Sequence, residues 1–179
     1  GRPLEVSGIR PMVCSNQICN FSFTEIGVSA NIIGEIKRDP KANDLLISLA
    51  STTYNTKFFN PKPLYITNDE FTTFFTKLPS MQQLASEFNT DNELKNYLND
   101  KMFEILKFLI LANKSHIITL DKPEIQIEEC AKDTTQFLLT IATPEFEKEF
   151  QIRKKKYGGI YLWHGSNVNR WYSILHNGL

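Results

Sequence analysis

The sequence predicts an α+β protein in which a mostly helical module, residues 1–112, precedes an α+β module, residues 113–179. Two observations support this class. Helix-start signals and an apolar stripe at helical spacing fill the stretch before Asn113. After Asn113 the pattern changes to short β-branched or apolar runs, of which Thr135 to Ala142 (TQFLLTIA) is the clearest strand. We therefore expect a domain boundary close to residue 113.

The composition is that of a soluble globular protein. Of 179 residues, 41% are hydrophobic and 22% are charged, and the 20 basic and 20 acidic residues give a net charge of +0. A neutral chain has no overall field to attract nucleic acid, so nucleic acid is not indicated as a partner. The richest apolar run, Phe103 to Ala112, is interrupted by two charges and is too short for a membrane span.

Cysteine usage favours an intracellular location, cytoplasmic or nuclear. The chain has only three cysteines, and an odd and low number argues against a disulfide framework. Cys14 and Cys19 have four residues between them, and His116 and Cys130 lie downstream. Structural zinc sites usually present two close ligand pairs, and only one pair exists here. We expect no metal and interpret the pair as two loop thiols, with a metal site or a modified cysteine as the alternatives.

The first module begins with a predicted loop over Gly1 to Asn20 and a possible strand over Phe21 to Val28. Asp44 to Tyr54 has helical spacing, and Phe58 to Ile66 contains two prolines, so it should be a connection. Three capping boxes and then one long helix ending near Asn113 follow. The boxes are Thr67 with Glu70, Ser80 with Gln83, and Thr90 with Glu93, and the stripe of the long helix is Leu94, Leu98, Met102, Ile105 and Leu109.

The second module should begin with a strand over His116 to Leu120, followed by a polar turn and the buried strand already named. Pro144 suits the first position of a helix that runs to about Lys156 and ends at Gly158-Gly159. Its basic end, Arg153 to Lys156, fits a solvated helix terminus better than a nucleic-acid patch or import signal, because the whole chain is neutral.

The last part of the chain is predicted to be strand, turn and helix. Ile160 to Trp163 should be a short strand, and Val168 to His176 a helix capped by Ser166 or Asn167 and stopped by Gly178. We expect both tryptophans, Trp163 and Trp171, to lie in the core or in a pocket wall.

The turn His164-Gly165-Ser166 brings together an imidazole, a glycine backbone and a hydroxyl. Glycine lets a flat ligand approach the backbone closely, and the imidazole can donate or accept a hydrogen bond to a ribose hydroxyl. The following helix N-terminus adds positive potential for an anion. Taken alone, the three residues are better explained by a strand end, a turn and a helix cap with no ligand, because such short motifs often occur by chance.

The longer run LWHGSNVNRWYSILHNGL (162–179) resembles the signature that opens the catalytic domain of the poly(ADP-ribose) polymerase family. The match comprises a strand, His-Gly-Ser, an aromatic residue, Ser-Ile-Leu and Asn-Gly-Leu. Segments upstream, including Cys14 to Phe23 and Gln136 to Leu139, resemble the subgroup that transfers single ADP-ribose units. The strong resemblance covers about residues 135–179, and the subgroup resemblance covers most of the chain more thinly.

This resemblance implies the start of an ADP-ribosyltransferase fold and a protein that uses NAD as co-substrate. His164 would bond the adenine-side ribose, Gly165 would hold the nicotinamide carboxamide through its backbone, and Ser166 would line the turn. The implied reaction is nucleophilic attack on the ribose carbon that bears nicotinamide, through an oxocarbenium-like transition state. ADP-ribose then passes to a protein acceptor, which can be the enzyme itself, and nicotinamide leaves.

Two departures from the family pattern matter. Many members have an asparagine six residues after the histidine, whereas this chain has Arg170 there and Asn169 one position earlier. We include Arg170 in the predicted NAD site, where it stands in place of the asparagine near the adenosine. The second motif strand and the late catalytic position are absent, so we expect the catalytic residues to lie beyond Leu179. We therefore predict that the chain is inactive alone and that its parent protein is the enzyme.

Three hypotheses follow from the sequence. The first is a transferase that moves ADP-ribose, most simply one unit at a time, from NAD to a protein. The second is a degenerate module that binds NAD or ADP-ribosylated partners without catalysis. The third is a structural domain with a chance motif, which the length of the resemblance disfavours.

Overall fold

A computed structural model describes residues 16–24, 30–112, 116–130, 133–141 and 144–178. The described part is α-rich with one two-stranded antiparallel sheet, which is compatible with the predicted α+β class. In chain order the elements are α1 (Gln17–Thr24), α2 (Ile32–Arg38), α3 (Pro40–Ser51), α4 (Asn68–Lys77), α5 (Met81–Glu87), α6 (Asp91–Leu98), α7 (Asp100–Ala112), β1 (His116–Thr119), a 3₁₀ turn (Pro123–Ile125), β2 (Phe137–Ile141), α8 (Pro144–Tyr157) and α9 (Val168–Asn177).

Two of the predicted capping boxes are confirmed in full, at α4 and α6. The Thr67 hydroxyl accepts from the Glu70 N–H at 3.2 Å, and the Glu70 carboxylate accepts from the Thr67 N–H at 2.7 Å. Thr90 and Glu93 repeat the exchange at 3.2 and 3.1 Å. Because these backbone N–H groups favour the ionised carboxylate, the pKa values of Glu70 and Glu93 lie below their usual range.

The third box is confirmed only as a cap. The Ser80 hydroxyl accepts from the Gln83 N–H at 3.2 Å and starts α5. The Gln83 side chain does not return the bond, because its amide donates to Glu87 at 2.9 Å instead. A glutamine four residues before a glutamate on one helix face finds that partner as readily as the backbone.

The single long helix predicted after Thr90 is wrong, since the chain breaks it into α6 and α7 at Asn99. Asn99 has φ 70°, a left-handed conformation that no helix contains. Its side chain then accepts from the Met102 N–H at 3.1 Å and so begins α7. The apolar stripe continues across the break, which is why hydrophobic spacing alone did not reveal it.

The N-terminal prediction of loop and strand is also wrong where it can be compared. Residues Gln17–Thr24 are helical, and residues 25–28 of the expected strand lie outside the described part. The start of this helix has a local cause, because the Asn16 side chain accepts from the Ile18 N–H at 2.9 Å. Short alternation of apolar and polar residues, as in Phe21 to Phe23, does not by itself distinguish a strand from a helix.

Carboxylates from distant parts of the chain satisfy other helix starts. Asp91 at the start of α6 accepts from the N–H groups of Ile32 and Ile33 at 3.0 and 2.8 Å, so it caps α2 across the bundle. Asp44 accepts from the Met81 N–H at 3.0 Å and caps α5. These bonds cap the N-termini of α2 and α5 and also join helices, because each acceptor lies on a different helix from its donor.

The main core lies between α2, α3, α4, α5, α6 and α7, and it also receives α9. Its least exposed large side chains, all below 2% exposure, are Ile32, Ile36, Phe71, Phe74, Met81, Leu84, Leu94, Ile105, Leu106, Leu109 and Ile110. Each such burial stabilises the fold by about 1.5–3 kcal/mol before entropy is counted. None of the helices in the described ranges is long and apolar enough to cross a membrane.

The sheet attaches to the helical part through α3. Ile117 of β1 packs on Ala42 and Leu46 of α3 in a small second core. Asp39, just before α3, accepts from both the N–H and the hydroxyl of Thr119 at 2.7 Å and also from the Ala42 N–H at 2.9 Å. One carboxylate therefore caps a helix and ties down a strand.

The strands at 116–120 and 135–142 are confirmed, with shorter bounds, and pair antiparallel with Ile118 opposite Leu138 and Thr119 opposite Phe137. The expectation that the second strand is buried is wrong, because Leu138 and Leu139 are 46% and 47% exposed. A two-stranded sheet packed mainly through its first strand leaves much of the second open to solvent.

Of the elements predicted for the last part of the chain, the two helices are confirmed and the strand is not. The helices starting at Pro144 and Val168 are confirmed, and Gly178, with φ 80°, ends the latter as expected. The strand expected over Ile160 to Trp163 is wrong, because these residues form neither a strand nor a helix in the structure. A strand needs a neighbouring strand to satisfy its backbone groups, and the described residues supply none beside it. The domain boundary near 113 stays a prediction, although α9 packs directly on α3.

Candidate functional site

The predicted turn His164-Gly165-Ser166 lies in the connection between α8 and α9. His164 and Gly165 are exposed, and Ser166 is half-buried. The side chains of His164 and Ser166 form no hydrogen bond with other described residues. The polar groups that the sequence singles out are therefore accessible and available to a ligand.

Trp171, one turn into α9, holds this turn in place. Its ring meets the His164 ring edge-to-face, with centroids 6.0 Å apart and planes at 75°. Its indole Nε1–H donates to the Ser166 carbonyl at 3.3 Å. Edge-to-face pairs at this separation are favourable, so the imidazole has a preferred position although it is exposed.

Gly165 has no visible reason in the fold to be glycine. A Cβ placed there would meet nothing within 4 Å, and its φ lies outside the left-handed region. Gly178, by contrast, has the positive φ that ends α9 and that other residues avoid. The bare backbone at 165 is therefore open to whatever approaches from solvent.

The expected helix cap is confirmed in position but not in its side-chain bond. Asn167 occupies the cap position of α9, but neither its side chain nor that of Ser166 makes a capping bond. The first bond of the helix is the Arg170 N–H to the Asn167 carbonyl at 2.9 Å. The Ser166 hydroxyl therefore remains available, because it is not consumed by the helix end.

Arg170 is exposed, and its guanidinium lies over the Phe58 ring, with its carbon 5.2 Å from the centroid. This cation–π contact points the side chain to the loop between α3 and α4. The structure thus brings Arg170 to the helical module, while His164 and Ser166 are brought together by Trp171.

Tyr172 is the residue that sequence reasoning missed. It is 6% exposed, its hydroxyl donates to the Pro61 carbonyl at 3.2 Å, and its ring lies 4.8 Å from that of Phe59. Burial raises the pKa of its phenol. Because 111 residues separate the two hydrogen-bonded partners, no local pattern predicts this contact.

A cavity of about 360 Å³ lies elsewhere, between the loop Pro63 to Ile66 and α7, and contains none of the predicted site residues. Its lysines are already paired. Lys101 bonds Glu70 at 3.2 Å, and Lys107 pairs with Glu104. Paired lysines leave little positive charge in this cavity for an anionic ligand.

Two other sequence-level ideas can be compared with the structure. Among the described residues no three metal-ligand side chains come together, while Cys14 of the cysteine pair lies outside that part of the chain. Trp163 is 83% exposed, so the expectation of a core position is wrong for it. Trp171, which packs against the main core, meets the expectation.

Comparison with known proteins shows which proteins this chain resembles over most of its length. The chain is 27% identical over 191 aligned residues to protein mono-ADP-ribosyltransferase PARP8 from mouse and to the human protein of the same name. The alignments cover 96% of this chain but only 22% of each relative. The chain therefore corresponds to about a fifth of the length of the relatives it matches.

No family model and no solved structure matches this chain. The similarity to the two transferases supports a relationship with the poly(ADP-ribose) polymerase family. It agrees with the resemblance of the His-Gly-Ser segment and with that of the mono-transferring subgroup.

Proposed function

We propose that this chain supplies the first NAD-contacting turn of a protein ADP-ribosyltransferase that transfers one ADP-ribose unit at a time. The acceptor is a protein, which can be the enzyme itself, and nicotinamide is released. NAD is a co-substrate, no metal takes part, and the cysteine content favours the cytoplasm or nucleus.

The observation that carries this proposal is the similarity over 96% of the chain to two mono-ADP-ribosyltransferases. The geometry of the turn adds support. His164 and Gly165 are exposed, and the glycine has open space where a Cβ would stand. The fold does not need a glycine at this place, whereas a flat carboxamide on the backbone does.

In the proposed reaction an acceptor nucleophile attacks the ribose carbon that bears nicotinamide. The bond from that carbon to the nicotinamide nitrogen breaks, nicotinamide leaves as a neutral base, and the acceptor loses its proton. Residues of this chain bind and orient: His164 bonds the adenine-side ribose, and the Gly165 N–H and C=O hold the carboxamide. Ser166 lines the pocket, and Arg170 borders its adenosine side.

We propose that the remainder of the pocket comes from residues outside the 179-residue sequence. The relatives are several times longer than this chain, which spans 22% of them. We expect no transfer activity from the 179-residue chain by itself, because the groups that stack on nicotinamide and steer the acceptor are not among its residues.

The test is labelling by the complete protein with NAD that carries a labelled ADP-ribose moiety. Wild type is compared with His164→Ala, Gly165→Trp and Gly159→Trp. Gly159 is the matched control, because it also has open space around its Cβ position and a φ outside the left-handed region. We expect labelling in wild type and Gly159→Trp, and its loss in the two turn variants.

The other outcomes are equally informative. Full labelling in Gly165→Trp would contradict the assignment of this turn. Absence of labelling in wild type, with NAD still bound in a calorimetric titration, would instead indicate the degenerate binding module. Labelling by the 179-residue chain alone would overturn the prediction that it is inactive.

A further inference from the structure

Three consecutive residues at the start of α9 have different tasks. Arg170 lies over Phe58, and Tyr172 donates a hydrogen bond to the Pro61 carbonyl, so both attach the helix to the loop before α4. Trp171, between them, contacts the turn instead of the loop. The residues before and after Trp171 thus fix α9 on the helical module, while Trp171 itself contacts His164 and Ser166.

Within the described part of the chain, Trp171 contacts the exposed turn at two points. Its ring edge-to-face contact with His164 and its Nε1–H bond to the Ser166 carbonyl bracket Gly165 on both sides. The bond length of 3.3 Å is long for an N–H donor, so the ring contact contributes at least as much as the hydrogen bond. Trp171 itself is partly buried against the main core, which makes it a rigid support.

We propose that Trp171 is a positioning residue for NAD, which holds the His164 ring and the Gly165 backbone in their binding geometry before NAD arrives. The inference rests on the proposed function of the turn. Its physical basis is preorganisation: an exposed turn without this support must be ordered by the ligand, at a cost in affinity. Trp171 does not touch NAD in this proposal and acts through the turn.

The first measurement is the NMR spectrum of the histidine ring protons in the 179-residue chain. The chain has three histidines, so loss of one signal in His164→Ala assigns that residue. The indole ring current acts on His164, and we expect Trp171→Phe and Trp171→Leu to shift its signals. Tyr157→Leu is the matched control, because that aromatic ring is 74% exposed and lies on α8, outside the turn.

The second measurement is steady-state labelling by the complete protein over a range of NAD concentrations. We expect Trp171→Leu to raise KM for NAD roughly tenfold, since the ligand must order two side chains and a glycine backbone. Trp171→Phe keeps an aromatic edge against His164 and should recover most of this loss. Tyr157→Leu should retain the wild-type KM, and melting curves show whether each variant is folded at the assay temperature.

The outcomes separate this inference from the proposed function. A raised KM in Trp171→Leu, recovery in Trp171→Phe and shifted His164 signals support positioning. A wild-type KM in Trp171→Leu, with activity lost in His164→Ala, refutes positioning and leaves the function intact. If His164→Ala is as active as wild type, the turn is not the NAD site and both fail. Unmoved His164 signals in a folded Trp171→Leu variant refute the contact. If Trp171→Leu does not fold, Trp171→Met, which also has no ring current, replaces it in this measurement.

Discussion

Replacing Tyr172 by Phe removes one hydroxyl and little else. The ring that lies 4.8 Å from Phe59 is kept, so no cavity forms, and only the bond to the Pro61 carbonyl is lost. A single neutral hydrogen bond of this kind contributes about 1 kcal/mol to the free energy of unfolding. For a chain of this length that corresponds to a fall in Tm of about 2–4 °C.

The assay is urea and thermal unfolding at neutral pH, with Tyr157→Phe as the matched control. Tyr157 is 74% exposed and should tolerate the same change without measurable loss. A second arm uses pH. Because burial raises the pKa of Tyr172, the unfolded chain loses its phenolic proton first, and wild type loses stability as pH rises above about 10. Tyr172→Phe lacks this component, so the gap between the two proteins should shrink at alkaline pH.

Equal stability of wild type and Tyr172→Phe at neutral pH would refute the bond to Pro61. A constant gap from neutral to alkaline pH would refute the burial of the phenol. Either result would count against Tyr172 as an anchor that fixes the helix after the turn on the loop before α4.

Three further changes test the supporting structure. Asp39→Ala should lower the free energy of unfolding in urea by about 3 kcal/mol, because a helix cap and both bonds to Thr119 are lost. Asp121→Ala is the control: it loses only an exposed ion pair and should not change the free energy of unfolding measurably. Asn99→Ala should lower the free energy of unfolding by about 1 kcal/mol more than Asn99→Gly does, because both variants lose the cap on the Met102 N–H and only glycine accepts φ 70° without strain; equal losses would contradict that account of the break. Glu93→Gln should make the free energy of unfolding depend less on pH in the acid range. Because the pKa of Glu93 is lowered in the folded protein, its carboxylate stabilises wild type fully above about pH 4.5, and this stabilisation is lost as the pH falls through the folded-state pKa. Identical acid unfolding curves for the two proteins would count against this role of Glu93.

Helix starts were the most predictable part of the fold. The boxes at Thr67 and Thr90 depend on residues three positions apart, so the sequence contains the whole interaction. The break at Asn99 was missed because the apolar stripe runs through it and the φ of one residue leaves no mark in periodicity. The caps from Asp91 and Asp44 were missed because their donors lie 58 or 59 and 37 residues away, respectively.

The strand errors have a common cause. Thr135 to Ala142 and Ile160 to Trp163 both have strand composition, but pairing and burial depend on neighbours. The first found β1 and remained half exposed, and the second has no strand beside it in the described part. Composition indicates that a segment can form a strand, while the ladder requires a partner with free N–H and C=O groups.

The sequence by itself determined the chemistry of the candidate site, because an imidazole, a bare glycine and a hydroxyl in three successive positions are a property of the chain. It also determined the helix that follows and the end of that helix at Gly178. Only the tertiary structure decided what holds the turn: Trp171 on His164 and Ser166, with Arg170 and Tyr172 fixed on the loop at Phe58 and Pro61. The anchoring partners of Arg170 and Tyr172 lie more than a hundred residues away in the chain, and folding alone brings such groups within contact distance.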